Sequence, residues 1–488
     1  MLAFANYLIE SGEPKRAIPM LEEAIGLCKR VVDQVSSPTR ELRDSYALSI
    51  FGLANAFHWI GKNEEATPLL NSAKEKLLEL NLEMPDNHSY LRSAAACDMT
   101  LATIALNQNQ AAIGKSHLQN ALVLLQQIRE EDAIALRIRE LKIKVLTNLA
   151  LADRRMGQNE EAKSGYETAI AESRRLIELE PSVLSHQWNL VVASLNSGGP
   201  DMELGNLETL VERWQSTVPV LDHLISSEPE NQRYQQVKAM LQSNIAIILR
   251  DMGKLEEAIE PLQAATVILL EQAKRVEYSP SAYLPVALNH YELASTWIQL
   301  GRLPDAGVAL DESEMVVKEI LEKESTFIPA LGHWLDLMHS RMSLLKQLDP
   351  TNFSKRNHLA EEALKLAKDL STNNPDVAEY QIELPRAMID QAGVWSDSGS
   401  FSDSIRTVQE SRRLINILQE SQKSLSPDVR VILKNAFLVE AKTLLNANPQ
   451  SKERDASIRE LLTEAESHGA KEGDLTVILS QLVDEEQK

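Results

Sequence analysis

The sequence predicts an all-α solenoid of about nine helix-turn-helix hairpins, and three observations carry that expectation. Residues 229–265 hold one complete hairpin: an apolar helical stretch around Ala246, a break at Gly253, and a second amphipathic helix opening with Lys254-Leu255-Glu256-Glu257-Ala258. Small residues stand at Ala246, Ala258 and Ala265, twelve and then seven apart, where a methyl group lets two helix axes approach closely. The same spacing returns every 48 or 49 residues along most of the chain. Composition agrees, since aromatics make up only 5% and Ala, Leu, Glu, Gln and Lys fill the segments, so no strands are expected.

The register is explicit. Ala5, Ala54, Ala102, Ala150, Ala246, Ala294 and Ala392 hold the first small position. Ala17, Ala66, Gly114, Ala162, Ala258, Ala306 and Ser404 hold the second, and Ala24, Ala73, Ala121, Ala169, Ala265, Ser313 and Ser411 the third. Before each second position stands Gly12, Gly61, Asn109, Gly157, Gly253, Gly301 or Gly399, residue types that tolerate the left-handed backbone of a tight interhelical turn.

Taken in order, the first hairpin begins late, because Ala5 has only four residues before it, whereas the linker prolines Pro85, Pro229 and Pro280 precede their small positions by 14 to 17. Its first helix is short of N-terminal turns and its end is apolar (Met1, Leu2, Phe4), so the chain reads either as a piece of a longer protein or as one whose start lies upstream. Residues 1–195 form the first four hairpins, with 126–141 as a helix-to-helix connection. Residues 196–228 form a degenerate hairpin, in which 196–206 read as a longer loop and Gly205 stands where Ala is expected. Residues 229–425 hold four further hairpins; the eighth gains residues through 346–353 and resumes at Ala360 and Ala367. Residues 426–488 read as a helical cap with a charged tail.

The order of small residue, turn glycine, alanine, an apolar residue four places on (Leu21, Leu70, Leu118, Tyr166, Leu262, Leu310), alanine and then proline resembles the tetratricopeptide repeat. Two departures are that the Gly usual beside the first Leu is Ala here, and that the period is 48 instead of 34. The added residues lengthen both helices by one to two turns, to roughly 20 residues or about 30 Å each. The long period and the phrases Pro85-Asp86-Asn87 with Tyr90, Pro229-Glu230-Asn231 with Tyr234 and Pro375-Asp376 with Tyr380 look like the C-terminal repeats of large bacterial serine/threonine protein kinases. The first resemblance implies a right-handed superhelix whose first helices line a concave groove for peptides or partner helices.

Chemistry finds little foothold. A net charge of -21 argues against nucleic acid, which needs a basic stripe. No apolar run reaches membrane-spanning length and no signal peptide opens the chain, so a cytoplasmic protein is expected, with Cys28 and Cys97 as free thiols. Asn109 to Ser116 comes near a phosphate-binding loop but coincides with a repeat turn. His333 and His339 lack metal-ligand spacing, and no GxSxG, HRD or DFG phrase is present. Neither a catalytic residue, a cofactor nor a metal is therefore expected. Carboxylate pairs such as Glu64-Glu65 and Glu256-Glu257 open the second helices and complement the helix dipole.

Transferred onto this chain, the family's groove positions implicate Arg154, Arg155, Arg250 and Tyr291, and the three arginines, with Asn148 and Asn244 on neighbouring turns, read as a local basic patch suited to an acidic or phosphorylated segment. The lysine used by relatives that clamp a C-terminal carboxylate is missing from every unit. The expected role is a non-enzymatic protein-protein interaction scaffold, with self-association through the exposed N-terminal unit as a further possibility of the array. The alternative is the regulatory or substrate-docking arm of a bacterial serine/threonine kinase whose catalytic domain is not in this chain. Replacing Ala246 or Ala258 by Leu should overpack the hairpin and cost about 1–3 kcal/mol in chemical denaturation. Unchanged stability in both variants would place the helix register elsewhere.

Overall fold

The computed structural model describes residues 2–10, 12–35, 37–128, 135–421, 427–447 and 451–482, and among these every regular element is helical. The chain divides into two compact bodies, Met1–Leu241 and Gln242–Lys488. In the N-terminal body, α1 (Leu2–Glu10) pairs with α2 (Pro14–Gln34), α3 (Arg40–Trp59) with α4 (Asn63–Glu83), α5 (Ser89–Asn107) with α6 (Ala111–Gln126), and α7 (Ala135–Arg155) with α8 (Asn159–Leu179). There α9 (Leu184–Asn196) and the short α10 (Gly198–Glu203) then pack on α11 (Leu207–Ser227). The boundary between bodies falls inside α12 (Gln232–Asp251), which precedes α13 (Leu255–Arg275). Further along the C-terminal body come α14 (Pro280–Gln299) with α15 (Leu303–Lys323), α16 (Ile328–Leu348) with α17 (Phe353–Asn373), and α18 (Ala378–Ser398) with α19 (Phe401–Ser421). A tenth pair, α20 (Pro427–Ala447) and α21 (Lys452–Ser467), is followed by α22 (Glu472–Leu479). Most helices run 20 or 21 residues, as the 48-residue period requires.

The ladder of small residues is the contact line of each hairpin. Ala54, Ala66 and Ala73 are completely buried, as are Ala102 with Ala121, Ala150 with Ala162 and Ala169, and Ala294 with Ala306. Leu70, Leu118, Tyr166, Leu262 and Leu310 fill the space beside them. Serine enters this line only with a hydrogen bond, since burying an unpaired hydroxyl is costly. Ser313 Oγ donates to the Ala287 carbonyl at 2.7 Å, Ser404 Oγ to Ala392 and Ser411 Oγ to Pro385, both at 2.8 Å.

Most first helices end the same way, α16 being an exception. Gly61 has φ +80°, its N–H reaches the carbonyl of His58 at 3.0 Å, and the Lys62 N–H reaches Phe57 at 2.9 Å, so a left-handed residue closes the helix on its own last carbonyls. Gly157, Gly253 and Gly301 repeat this at φ +76°, +76° and +72°, and Asn109 does so at +60°. The near match to a phosphate-binding loop is thus a repeat turn. First helices of successive hairpins also touch one another, α3 with α5 and α5 with α7 in one body, α14 with α16 and α18 with α20 in the other. Second helices make no comparable mutual contact among the described residues, so the first helices form the close-packed face.

Two degenerate hairpins correct the expectations. Residues 196–206 are not a long loop: Gly198 opens a helical turn, and Gly205, at φ +74°, is the turn glycine itself. The 48-residue register therefore runs unbroken through Gly198, where a small residue is obligatory because Trp214 occupies the place held elsewhere by Leu or Tyr. A Cβ on Gly198 would stand 2.2 Å from the Trp214 ring. In the eighth hairpin the added residues widen the turn between α16 and α17, and Met342 and Arg356 replace the first two small residues. Arg356 is only 2% exposed and is neutralised by Asp397 at 2.9 Å. Burial works to raise the pKa of Asp397, but Lys442, Arg356 and Lys346 together hold it down at about 2.

At the N-terminus α1 covers only part of its partner. Ala24, alone among the third small positions, is half-buried, and Leu27 and Val31 on α2 and Val35 just past its end are exposed. At the other end Phe437, Ile458, Leu462, Leu475 and Ile478 close a core over α20, α21 and α22. The charged residues 484–488, Met1 and positions 129–134 of the expected connection lie outside the described residues. No described helix is long and apolar enough to cross a membrane.

Gly198→Ala should destabilise the chain by more than about 1 kcal/mol, because a methyl group would meet a buried ring. Trp214→Leu, which restores the residue found in neighbouring hairpins, should recover part of that loss in the double variant, and strictly additive losses in denaturation would refute the coupling.

Candidate functional site

The first-helix face is where the sequence places binding residues, and the structure distributes them unevenly. In the N-terminal body Asn148 is half-buried on α7, and Arg154 is exposed at the end of that helix, its guanidinium lying over Gly199. Arg155 donates through Nη1 to the Leu106 carbonyl. In the C-terminal body Asn244 is half-buried, and Arg250 is ion-paired with Glu292 on the neighbouring first helix. The Tyr291 hydroxyl accepts a 3.4 Å hydrogen bond from Ser340, and its ring meets His333 edge-on at 5.3 Å. Arg154 and Arg155 thus belong to one body and Arg250 to the other.

A cleft of about 890 Å³ opens elsewhere on the same kind of face, between α16, α18 and α20. On α18 its wall is Glu379, Ile382, Glu383, Arg386, Ile389 and Asp390, a 3–4 spacing that puts all of them on one helix stripe. Asp336, His339, Ser340 and Ser343 come from α16, and Val431, Ile432 and Asn435 from α20. Counted from Ala392, the α18 residues lie 2 to 13 places before the small position, and Glu379, Ile382 and Glu383 fall in the N-terminal turns that the long period adds. Of the groove positions transferred from shorter repeats, the one three places before the small residue, here Ile389, falls on this stripe, and none reaches Glu379, Ile382 or Glu383.

Charge organises the cleft. Arg386 Nη1 bonds Asp336 Oδ1 at 3.1 Å and Glu383 Oε1 at 3.3 Å. Burial works against the guanidinium's charge, but Glu383, Asp336 and Asp390 hold its pKa above the ordinary arginine value. Glu383 is likewise pushed up by burial, yet His339 and Arg386 leave it below the usual carboxylate range. For Asp336 burial prevails and raises it. His339 is buried, with Nδ1 on Asp390 and Nε2 at 3.5 Å from Glu383 Oε2. Burial pulls its pKa down, but Asp390 and Glu383 more than reverse that and lift it to about 9. The imidazolium form is therefore the resident one near neutral pH.

This arrangement holds charges in place and does not activate a nucleophile. Ser340 and Ser343 line the cleft, but both imidazole nitrogens of His339 face carboxylates, so no serine-base pair forms. Among the described residues no group of His, Cys, Asp and Glu is arranged to hold a metal ion. His333 is occupied by Ser313 at 3.1 Å, and burial lowers its pKa to about 4. Cys28 and Cys97 are free thiols, Cys97 buried.

With this geometry in hand, comparison with known proteins identifies the fold. No protein-family model matches the chain, and none of the curated proteins does. Among solved structures the apo form of RapI is 13% identical, covers 85% of this chain and 97% of its own, and has a TM-score of 0.50. The apo quorum sensor NprR from B. thuringiensis is 16% identical over 85% of this chain and 96% of its own, with a TM-score of 0.46. The signal transduction ATPase with a tetratricopeptide repeat sensor from Pyrococcus horikoshii is 13% identical over 79% and 54%, with a TM-score of 0.45. Likeness at this level concerns fold alone. The chain has a tetratricopeptide-type repeat fold, an α-solenoid built of long hairpins.

Because the folded pKa of His339 exceeds that of a free imidazole, its stabilising contribution is complete below about pH 6.5 and is lost as pH rises through about 9. Urea denaturation at about pH 6 and about pH 9.5 should differ by up to about 3 kcal/mol, and the difference should shrink in His339→Gln. An identical pH dependence in the variant would remove His339 from this account.

Proposed function

We propose that this chain is a non-enzymatic, cytoplasmic protein-protein interaction scaffold that holds peptide or helical segments of partner proteins against its first-helix faces. The observation that carries the reading is the α16–α18–α20 cleft, whose volume of about 890 Å³ suits several side chains of a bound segment. Ile382, Val431 and Ile432 offer it apolar contact, while Ser343 and Asn435 offer hydrogen bonds. Asp336, His339, Glu383, Arg386 and Asp390 there are engaged with one another, which supports recognition over catalysis.

The same reading extends to the N-terminal body, where Asn148, Arg154 and Arg155 on α7 are proposed to meet an acidic or phosphorylated segment. Of the three arginines first implicated, Arg154 has no ion pair among the described residues, which favours it over Arg250 as a contact. Asn244 and Tyr291 are proposed as contacts in the C-terminal body. Self-association through the first hairpin is also proposed, because Phe4 and Tyr7 on α1 stand 51% and 62% exposed.

Display of random peptides against the immobilised full chain tests the principal reading. Peptides should be enriched on the native protein, and Ser343→Trp, which fills the cleft from an exposed helix position without altering charge, should weaken them about tenfold or more. No enrichment, or full binding by a folded Ser343→Trp variant, would overturn the scaffold reading at this site.

A further inference from the structure

One contact line of the N-terminal body is left open. α1 begins three residues before its small position Ala5, whereas α3, α5 and α7 begin 13 to 15 residues before theirs. The C-terminal half of α2 therefore runs on beyond α1, with no first helix of its own hairpin against it. In the second hairpin the same half is covered by Ala47 and Ile50 of α3, which share one core with Ala73, Leu77 and Leu80 of α4. The matching positions on α2 are Ala24, Cys28 and Val31. Leu80, Leu176 and Ile320, which stand where Val31 does, are at most 1% exposed, and Val31 is 45% exposed. Leu27 is exposed as well, whereas Leu124 at its place in the third hairpin packs against the cores on both sides. What covers this line elsewhere in the array is another helix.

The open line is complementary to itself. Met20, Ala24, Val31 and Val35 follow one another along the helix, with Leu27 and Cys28 at the middle. About a two-fold axis beside Leu27 and Cys28, two antiparallel copies of α2 set Ala24 of each against Val31 of the other, a small residue against a larger one, and Met20 against Val35. Charge agrees with that arrangement. Glu23 and Arg30 are exposed on the same side of the line, and neither has an ion pair among the described residues. Seven residues put them about 10 Å apart along the axis, too far to pair with each other. Antiparallel packing turns that side of one helix toward the same side of the other, so each Glu23 comes beside Arg30 of the other copy.

We propose that the occupant is a second copy of this chain: α2 packs antiparallel on α2 across a two-fold axis, with Ala24 and Val31 in contact and two Glu23–Arg30 ion pairs along the edge. This rests on the self-association reading and gives it a geometry. A single helix pair buries less than the roughly 800 Å² per partner of a standard stable interface, so the dimer is concentration-dependent. The net charge of -21 on each chain opposes it at low salt.

Sedimentation equilibrium of the full chain in about 0.15 M salt should show monomer and dimer exchanging between about 1 and 100 μM. Val31→Glu, at a side chain exposed in the monomer, should raise the dissociation constant about tenfold or more. Glu23→Arg and Arg30→Glu should each raise it about threefold, and the double variant should return it toward the native value, because the pairs re-form with their signs exchanged. A short bismaleimide should join two chains through Cys28 and fail to do so in Cys28→Ser, since Cys97 is buried. A dimer indifferent to Val31→Glu, or a double variant no tighter than the single ones, would overturn this geometry and leave self-association standing. Chains that stay monomeric at about 100 μM would overturn both.

Discussion

Close approach of two long helices is the constraint on which the rest of this protein depends. At three places per hairpin a side chain larger than a methyl or hydroxymethyl group would push the axes apart, and those places are buried wherever the repeat is regular. The margin is small even there. A methyl group on Gly165 would stand 2.9 Å from the Ala150 Cβ, and one on Gly114 the same distance from Leu106. Glycine at the turn is the second half of the constraint, because it reverses the chain quickly enough for the helices to pair along their length.

Departures from this rule come in compensating sets. Trp214 is tolerated because Gly198 has no side chain, and the Trp214 indole N–H is satisfied by the Ser194 carbonyl at 2.9 Å. Beside it Arg213 bridges Ser197 and the fully buried Asp201, so this hairpin exchanges part of its apolar contact line for a polar one. In the eighth hairpin Arg356 is accommodated by a widened turn and by Asp397, which also holds Lys346 at 3.0 Å and Lys442 at 2.7 Å. Buried ion pairs of this kind add little net stability compared with an apolar contact, but removing one partner leaves a costly isolated charge. They make the irregular hairpins specific without making them stronger.

The longer repeat has a functional consequence. Extra N-terminal turns on the first helices add surface to the face on which those helices pack together, and in the C-terminal body that surface carries Glu379, Ile382 and Glu383 of the charged cleft. Its inner ion pairs fix Arg386 and His339, leaving the outer carboxylates presented from rigid helices and not from loops. A preorganised surface of this kind loses less freedom on binding than a flexible one.

Fold class and the turn residues were legible in the sequence because each rests on local chemistry: Ala246, Ala258 and Gly253 act through their own size and backbone freedom, and a register repeats that action until it is unmistakable. Where one hairpin changed two residues together, as at Gly198 and Trp214, the pattern was misread as a loop, since the compensation exists only once both side chains share a space. The cleft was less legible still. Asp336 and Arg386 are 50 residues apart, and His339 and Asp390 are 51, so nothing local in the chain announces their pairing. Periodicity by itself determined which residues form the helices and their closest line of contact. Only the tertiary structure decided which charges meet across neighbouring helices and which are left facing outward, because burial and distance, the quantities that set electrostatic energy, do not exist until the helices have packed.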